Sequence, residues 1–295
     1  MTPIVFALPG NEAMTASLAV HMGAERGIAE IRRFPDGESY VRLDTPVAGH
    51  EVALVCTLDH PDDKLLPLLF LARLAKELGA ARVGLVAPYL AYMRQDRRFK
   101  PGEAVTSAYF AEMLSRSVDW MVTIDPHLHR RSSLKEIYPI PARALGAAPL
   151  VSAWIRDRVK MPLLVGPDEE SAQWVAAVAV AAGAPYLVLQ KERHGDRDVR
   201  VSVPEVDRWR GHTPVLVDDI ISTGRTMIET AHHLHAAGMT APVSVGIHGV
   251  FAANALAEMR TAGIVEIVTC NTIPHETNRI DVAPLLAPTI RDIVA

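Results

Sequence analysis

Apolar residues fall in short blocks separated by charged or glycine-containing breaks, and the blocks follow two periods. Residues 4–7, 52–57, 81–87, 120–124, 162–165, 185–189, 215–217, 242–248 and 264–269 read as strands. Between them, 12–22, 64–78, 105–114, 149–159, 171–182, 227–237 and 253–262 carry helical spacing, and Gly23, Gly79, Gly183 and Gly238 stand where such helices stop. Strand, helix and strand in succession call for parallel pairing through a helical crossover. Residues 31–43 differ: Pro35-Asp36-Gly37 turns between two extended pieces, which predicts a hairpin. Residues 190–200, QKERHGDRDVR, read as a polar surface loop, and 199–203 alternates as an edge hairpin. The Pro/Ala-rich stretch 138–145 reads as the connection between two halves. The order strand, acidic loop, helix, strand over 162–189 repeats that over 52–87, so a structural duplication is expected.

The 295 residues suffice for one large or two medium α/β domains. Apolar residues make up 49% and aromatics only 5%, so the core is built from Ala, Val and Leu. A net charge of −4 argues against broad nucleic-acid or membrane binding. Cys56 and Cys270 lie far apart in apolar contexts, as buried free thiols in a reducing compartment do. No cationic start with an apolar run and no bilayer-length apolar run occurs, so a soluble cytoplasmic protein is expected.

The sharpest chemistry sits in VLVDDIISTGRTM, residues 215–227. A buried strand ends in two carboxylates, Asp218 and Asp219, and a short loop opens a helix. A loop in that place presents unpaired backbone N–H groups and the positive end of the helix dipole to an anion. Gly224 lets the backbone approach, and Ser222, Thr223 and Thr226 add hydroxyl donors; the competing reading is an ordinary acid-capped turn. After the strand 81–87 come Arg94, Arg97 and Arg98, suited to phosphate or else a solvated charge run. After the strand 120–124, Asp125, His127 and His129 fall on one face of an extended chain, a set able to hold a divalent cation or a phosphate. Neither G-x-x-x-x-G-K-[ST] nor G-x-G-x-x-G is present, nor a Cys/His zinc pattern, nor G-x-S-x-G.

The 215–227 stretch resembles the ribose-5-phosphate (or phosphoribosyl pyrophosphate) loop of phosphoribosyltransferases and phosphoribosyl pyrophosphate synthetases. FPDGE, PYLAYMRQDRR, DPH, PD, KER, VDDIISTGRT and CNTIP follow one another along the chain in the order of the synthetase family, a ribose-phosphate diphosphokinase. The resemblance implies an α/β fold of two phosphoribosyltransferase-like domains, 1–145 and 146–295, each a mainly parallel sheet flanked by helices. The tail from about 280 would pack back on the first. It implies Mg²⁺-dependent transfer of a diphosphoryl group from ATP to ribose 5-phosphate, giving AMP and phosphoribosyl pyrophosphate for nucleotide biosynthesis. Phe34, Asp36, Gly37, Glu38, Arg94, Gln95 and Arg97 would hold ATP, in part across a subunit interface of a homo-oligomer. His127, Asp168 and Asp125 would associate with the metal. Lys191 and Arg193 would act on the transferring group. Arg193, Asp218, Asp219, Ser222, Thr223, Gly224, Arg225 and Thr226 would bind ribose 5-phosphate. The chain departs from the family pattern at Pro126, His129, Ser222 and Arg225. A phosphoribosyltransferase would leave KER, RQDRR and FPDGE idle. A regulatory homologue without activity would not need Lys191 and Arg193. A kinase releasing ADP is the remaining alternative.

Overall fold

The computed structural model describes residues 2–128, 130–166, 172–193, 199–202 and 206–295. The chain forms two compact units. Unit 1 is Met1–Gly146 with Thr272–Pro274 and Val282–Ala295; unit 2 is Ala147–Asn271 with His275–Asp281.

In unit 1 the order is β1 (Ile4–Ala7), α1 (Glu12–Met22), β2 (Ala29–Arg33), β3 (Ser39–Leu43), β4 (Glu51–Val55), α2 (Pro61–Glu77), β5 (Arg82–Ala87), α3 (Thr106–Ser117), β6 (Trp120–Ile124) and β7 (Ala142–Leu145). Unit 2 continues with α4 (Ala148–Arg158), β8 (Pro162–Gly166), α5 (Ala172–Ala182), β9 (Tyr186–Val188), β10 (Gln190–Arg193), β11 (Val199–Ser202), α6 (Val206–Trp209), β12 (Thr213–Ile221), α7 (Arg225–Ala236), β13 (Val243–Gly249), α8 (Ala255–Thr261), β14 (Glu266–Cys270) and β15 (Asn278–Ile280). The last helix, α9 (Ala283–Val294), belongs to unit 1 and packs on α1, β6 and β7.

Each unit is a parallel sheet covered by its crossover helices, because strands apolar on both faces must be buried on both. The sheet of unit 1 runs β1-β4-β5-β6-β7, all parallel among the described residues. Trp120 is fully buried and opposes Gly84, where a Cβ would stand 1.9 Å from the indole; the missing side chain is what admits the ring. In unit 2 the order is β15-β14-β13-β12-β8-β9, again parallel. Leu163, Val165, Leu216, Met227 and Leu234 are in its core. Among the described residues no helix is long and apolar enough to cross a membrane. Cys56 and Cys270 are buried free thiols, and burial pushes the Cys56 thiol up to about 12.

The fold departs from the sequence reading in several places. Residues 142–145 are not connection but the edge strand β7, paired parallel to β6; their Pro/Ala content hid a short strand that a neighbour completes. Helix α2 begins at Pro61, three residues before the expected start, because proline fits the first turn where no N–H is needed. Gln190–Arg193 is a strand antiparallel to β11, not a loop. The duplication also has another register. Strand β1 is followed by a helix, a parallel bridge from Arg26 to Val5, the β2–β3 hairpin and then β4 on the opposite side of β1. Strand β8 is followed by α5, β9, the β10–β11 hairpin and then β12 on the opposite side of β8. Hence β4 corresponds to β12, and residues 1–55 rather than 52–87 correspond to the start of unit 2.

Candidate active site

Strand β12 lies between β8 and β13, and the strand order reverses where β12 meets β8. Such a switch point opens a crevice at the carboxyl ends of the strands. Val215 to Val217 are buried, and the half-buried Asp218 and Asp219 do not end the strand as its apolar block suggested: β12 runs on through them to Ile221, paired with β13 past the end of its ladder with β8. The Asp218 carboxylate accepts the Asp219 backbone N–H at 2.9 Å, which turns it toward its own main chain.

The chain then leaves through Ser222 and Thr223 to Gly224, whose φ of 68° lies in the left-handed region. Two constraints require glycine here. An L side chain is strained at that φ, and a Cβ would stand 2.8 Å from Met259 Cγ and Sδ of α8. Helix α7 starts at once: Ile228 N–H donates to the Gly224 carbonyl at 2.9 Å, and no side chain caps the N-terminus. Its first-turn N–H groups therefore face outward from the helix end. Thr223, Arg225 and Thr226 are exposed around them, and α7 has no acid in its first turn. This is the chemistry of an oxyanion cradle. From behind, Val250 and Phe251 N–H donate to the Ile221 carbonyl, each at 3.0 Å, and Ala252 N–H donates to the Ser222 carbonyl at 3.0 Å. Nothing in the residue types of 250–252 announces that contact.

The other expected residues divide between the units. In unit 2, Lys191 and Arg193 occupy alternate positions of β10, opposite Val201 and Val199. Asp168 and His129 lie outside the described residues. In unit 1, residues 34–38 form the exposed tip of the β2–β3 hairpin, with Gly37 N–H donating to Phe34 O and Asp36 Oδ1 accepting Glu38 N–H at 3.3 Å. Phe34 meets Tyr40 edge to face at 5.9 Å, and the Arg32 guanidinium lies over both rings. Arg94 and Arg97 are exposed, with Arg97 against the Phe99 ring. The Gln95 carboxamide accepts the Thr106 hydroxyl at 3.2 Å, so it also holds the start of α3.

The one-face arrangement of Asp125, His127 and His129 does not hold, because the extended chain ends at Ile124. Asp125 has φ 32° and His127 φ 55°, and His127 N–H donates to Asp125 O at 2.9 Å, so these residues form a turn. Tertiary pairing imposes it: Asp125 N–H is taken by Leu145 O of β7 at 2.9 Å. Asp96, unremarked in RQDRR, ties two segments of unit 1 together. Its carboxylate, 6% exposed, accepts Arg130 at 3.0 Å, and its carbonyl accepts Arg131.

Among the described residues no group of three carboxylate, imidazole or thiol side chains can hold a metal by itself. Mg²⁺ keeps several waters and relies on one or two carboxylates together with substrate phosphates. The half-buried pairs Asp125/His127 and Asp218/Asp219 fit that mode.

The N-terminal domain of ribose phosphate pyrophosphokinase matches as a family over residues 3–117, and the phosphoribosyl transferase domain over 133–285. The ribose-phosphate pyrophosphokinase of Methanopyrus kandleri is 32% identical over 292 residues, covering 98% of this chain and 99% of its own. That of Pyrococcus abyssi is 35% identical over 254 residues, 86% and 87% of the two chains. The crystal structure of phosphoribosylpyrophosphate synthetase from Mycobacterium smegmatis is similar with a TM-score of 0.85 at 25% identity, covering 100% of this chain and 99% of that one.

Proposed function

The chain belongs to the ribose-phosphate pyrophosphokinase family, and from that premise we propose how its residues make phosphoribosyl pyrophosphate. The observation that carries the reading is the open loop at 222–226, at a strand-order switch, with exposed hydroxyls and a cation and no first-turn acid.

The loop holds the 5-phosphate of ribose 5-phosphate through backbone N–H groups, with Thr223, Thr226 and Arg225 around it. Asp218 and Asp219 accept the ribose hydroxyls and orient the anomeric 1-OH. That oxygen attacks the β-phosphorus of ATP. The new C1–O–Pβ linkage forms, and the bond from β-phosphorus to the α,β-bridging oxygen breaks. AMP leaves with that oxygen, and the hydroxyl proton passes to solvent. Such a transfer is governed by positioning and charge stabilisation. Lys191 acts as a point charge and Arg193 as a planar fork on the transferring group. Phe34 stacks on the adenine, Asp36, Gly37 and Glu38 contact the base and ribose, and Arg94, Gln95 and Arg97 contact the phosphates. Asp125, His127 and Asp168 would hold Mg²⁺, as would the ribose-side carboxylates Asp218 and Asp219. When bound, Mg²⁺ supplies neutralising charge on the phosphate oxygens. The enzyme works in the cytoplasm as a homo-oligomer, with the 34–38 hairpin serving ATP in a neighbouring subunit.

The test is purified protein with Mg²⁺, ATP and ribose 5-phosphate, followed by separation of nucleotides. AMP is expected in step with phosphoribosyl pyrophosphate. ADP in its place, or no turnover while both substrates bind, overturns the reading.

A further inference from the structure

The turn at 250–254 lies outside every motif that points to the reaction, yet it is the segment that grips the sugar-phosphate loop. Its amides take the Ile221 and Ser222 carbonyls, and this grip has a directional consequence. A trans peptide is planar, so a carbonyl and the N–H of the next residue point in opposite directions. No cis peptide occurs among the described residues. Pulling the Ile221 and Ser222 carbonyls toward the turn therefore drives the Ser222 and Thr223 N–H groups away from it.

The turn is itself held in an unfavourable conformation. Phe251 has φ 41° and Ala253 φ 50°, positive values that non-glycine residues rarely adopt. Such backbone persists only where its surroundings over-determine it. Here the Phe251 ring stacks on His275, with centroids 4.5 Å apart and planes at 34°. Its edge fills the space left by Gly249, where a Cβ would stand 2.6 Å from the ring. His275 is fixed in turn: Nδ1 lies 2.9 Å from Thr277 Oγ1, and its backbone N–H donates to Asn278 Oδ1 at 2.9 Å. Burial holds the His275 imidazole below its ordinary value. Directly after the turn comes α8, whose Met259 packs against Gly224. One strained turn and its helix thus hold the loop at both ends.

We propose that Phe251 is a positioning residue for the synthesis. Stacked on His275, it locks the turn at 250–254, which aims the Ser222 and Thr223 amide N–H groups at the 5-phosphate of the substrate. The proposal rests on the reading that residues 222–226 bind that phosphate.

The experiment is steady-state kinetics on Phe251→Ala, Phe251→Tyr and Ala253→Gly, with Thr226→Ala as a loop control and thermal midpoints for the fold. Phe251→Ala is expected to raise KM for ribose 5-phosphate about tenfold, the scale of one lost charge-assisted hydrogen bond, with KM for ATP unchanged. Phe251→Tyr keeps the stack and restores the wild-type KM. Where Phe251→Ala does not fold, Ala253→Gly decides, since it frees the turn to leave its present φ without opening a cavity: a higher KM for ribose 5-phosphate at an unchanged or slightly raised midpoint supports the proposal. Unchanged KM for ribose 5-phosphate in the folded variants, or an equal rise for both substrates, overturns it. If Thr226→Ala also leaves KM for ribose 5-phosphate unchanged, the phosphate reading falls and the proposal with it. If Thr226→Ala raises that KM and the turn variants do not, only the positioning role is lost.

Discussion

After β4 the chain passes through Cys56, Thr57, Leu58 and Asp59 to His60 and enters α2; after β12 it passes through Ser222 and Thr223 to Gly224 and enters α7. These are corresponding points of a duplicated topology, and both helices start from a left-handed residue, His60 at φ 48° and Gly224 at φ 68°. In unit 1 the helix start is already neutralised. Asp62 and Asp63 stand in the first turn, engaged by the Tyr92 hydroxyl and by Arg33. The Lys64 ammonium closes the loop by pairing with Asp59 and donating to the Thr57 carbonyl at 3.0 Å. In unit 2 the first turn holds no acid, and Arg225 opens it. Neither helix start has a side-chain cap, so what separates them is charge: first-turn acids already answer the dipole of α2, and none does so at α7.

That contrast can be broken experimentally. The largest effect is expected in the hairpin of unit 2. Lys191→Ala should lower kcat by about 10²–10³-fold, the scale of one lost charge-stabilising contact. Near-normal turnover would remove Lys191 from its role. Next, Gly224→Ala combines a strained φ, costing about 1–3 kcal/mol, with overlap against Met259. It should raise KM for ribose 5-phosphate and lower thermal stability together. A variant with normal KM would show that the loop does not need its present shape. In unit 1, Lys64→Ala should cost about 1.5–3 kcal/mol of stability through lost hydrogen bonds to a charged group, measured by denaturant unfolding, with KM for ribose 5-phosphate unchanged. Weaker sugar-phosphate binding in that variant would mean the two loops are not functionally distinct. The smallest effect belongs to His60→Gly, which relieves left-handed strain of about 1 kcal/mol. It should leave activity intact and raise the thermal midpoint slightly; lost activity there would show that the loop of unit 1 also serves the reaction.

Legibility in the sequence followed the range of the interaction. The apolar stretch Val215 to Val217 and the Gly224 break are local signals, because periodicity and φ preference act within a few residues; that β12 continues through the acids to Ile221 is set by its pairing with β13. The β2–β3 hairpin was legible from Pro35-Asp36-Gly37 for the same reason. By contrast, the face shared by Asp125 and His127 was misjudged. Alternation holds only while the chain stays extended, and the distant Leu145 carbonyl sets where it stops. The grip of residues 250–252 on the loop left no trace in composition, since backbone amides carry no side-chain signature.

By itself the sequence determined the class of fold, the alternation of strands and crossover helices in both halves, and the glycine break that opens α7, because each depends on near neighbours and on which residues must leave water. Tertiary structure alone decided that β4 corresponds to β12 and that residues 142–145 are a strand. Those outcomes depend on which strand lies beside which, and hydrogen-bonded partners between strands are chosen by the whole packed chain rather than by the residues of one segment.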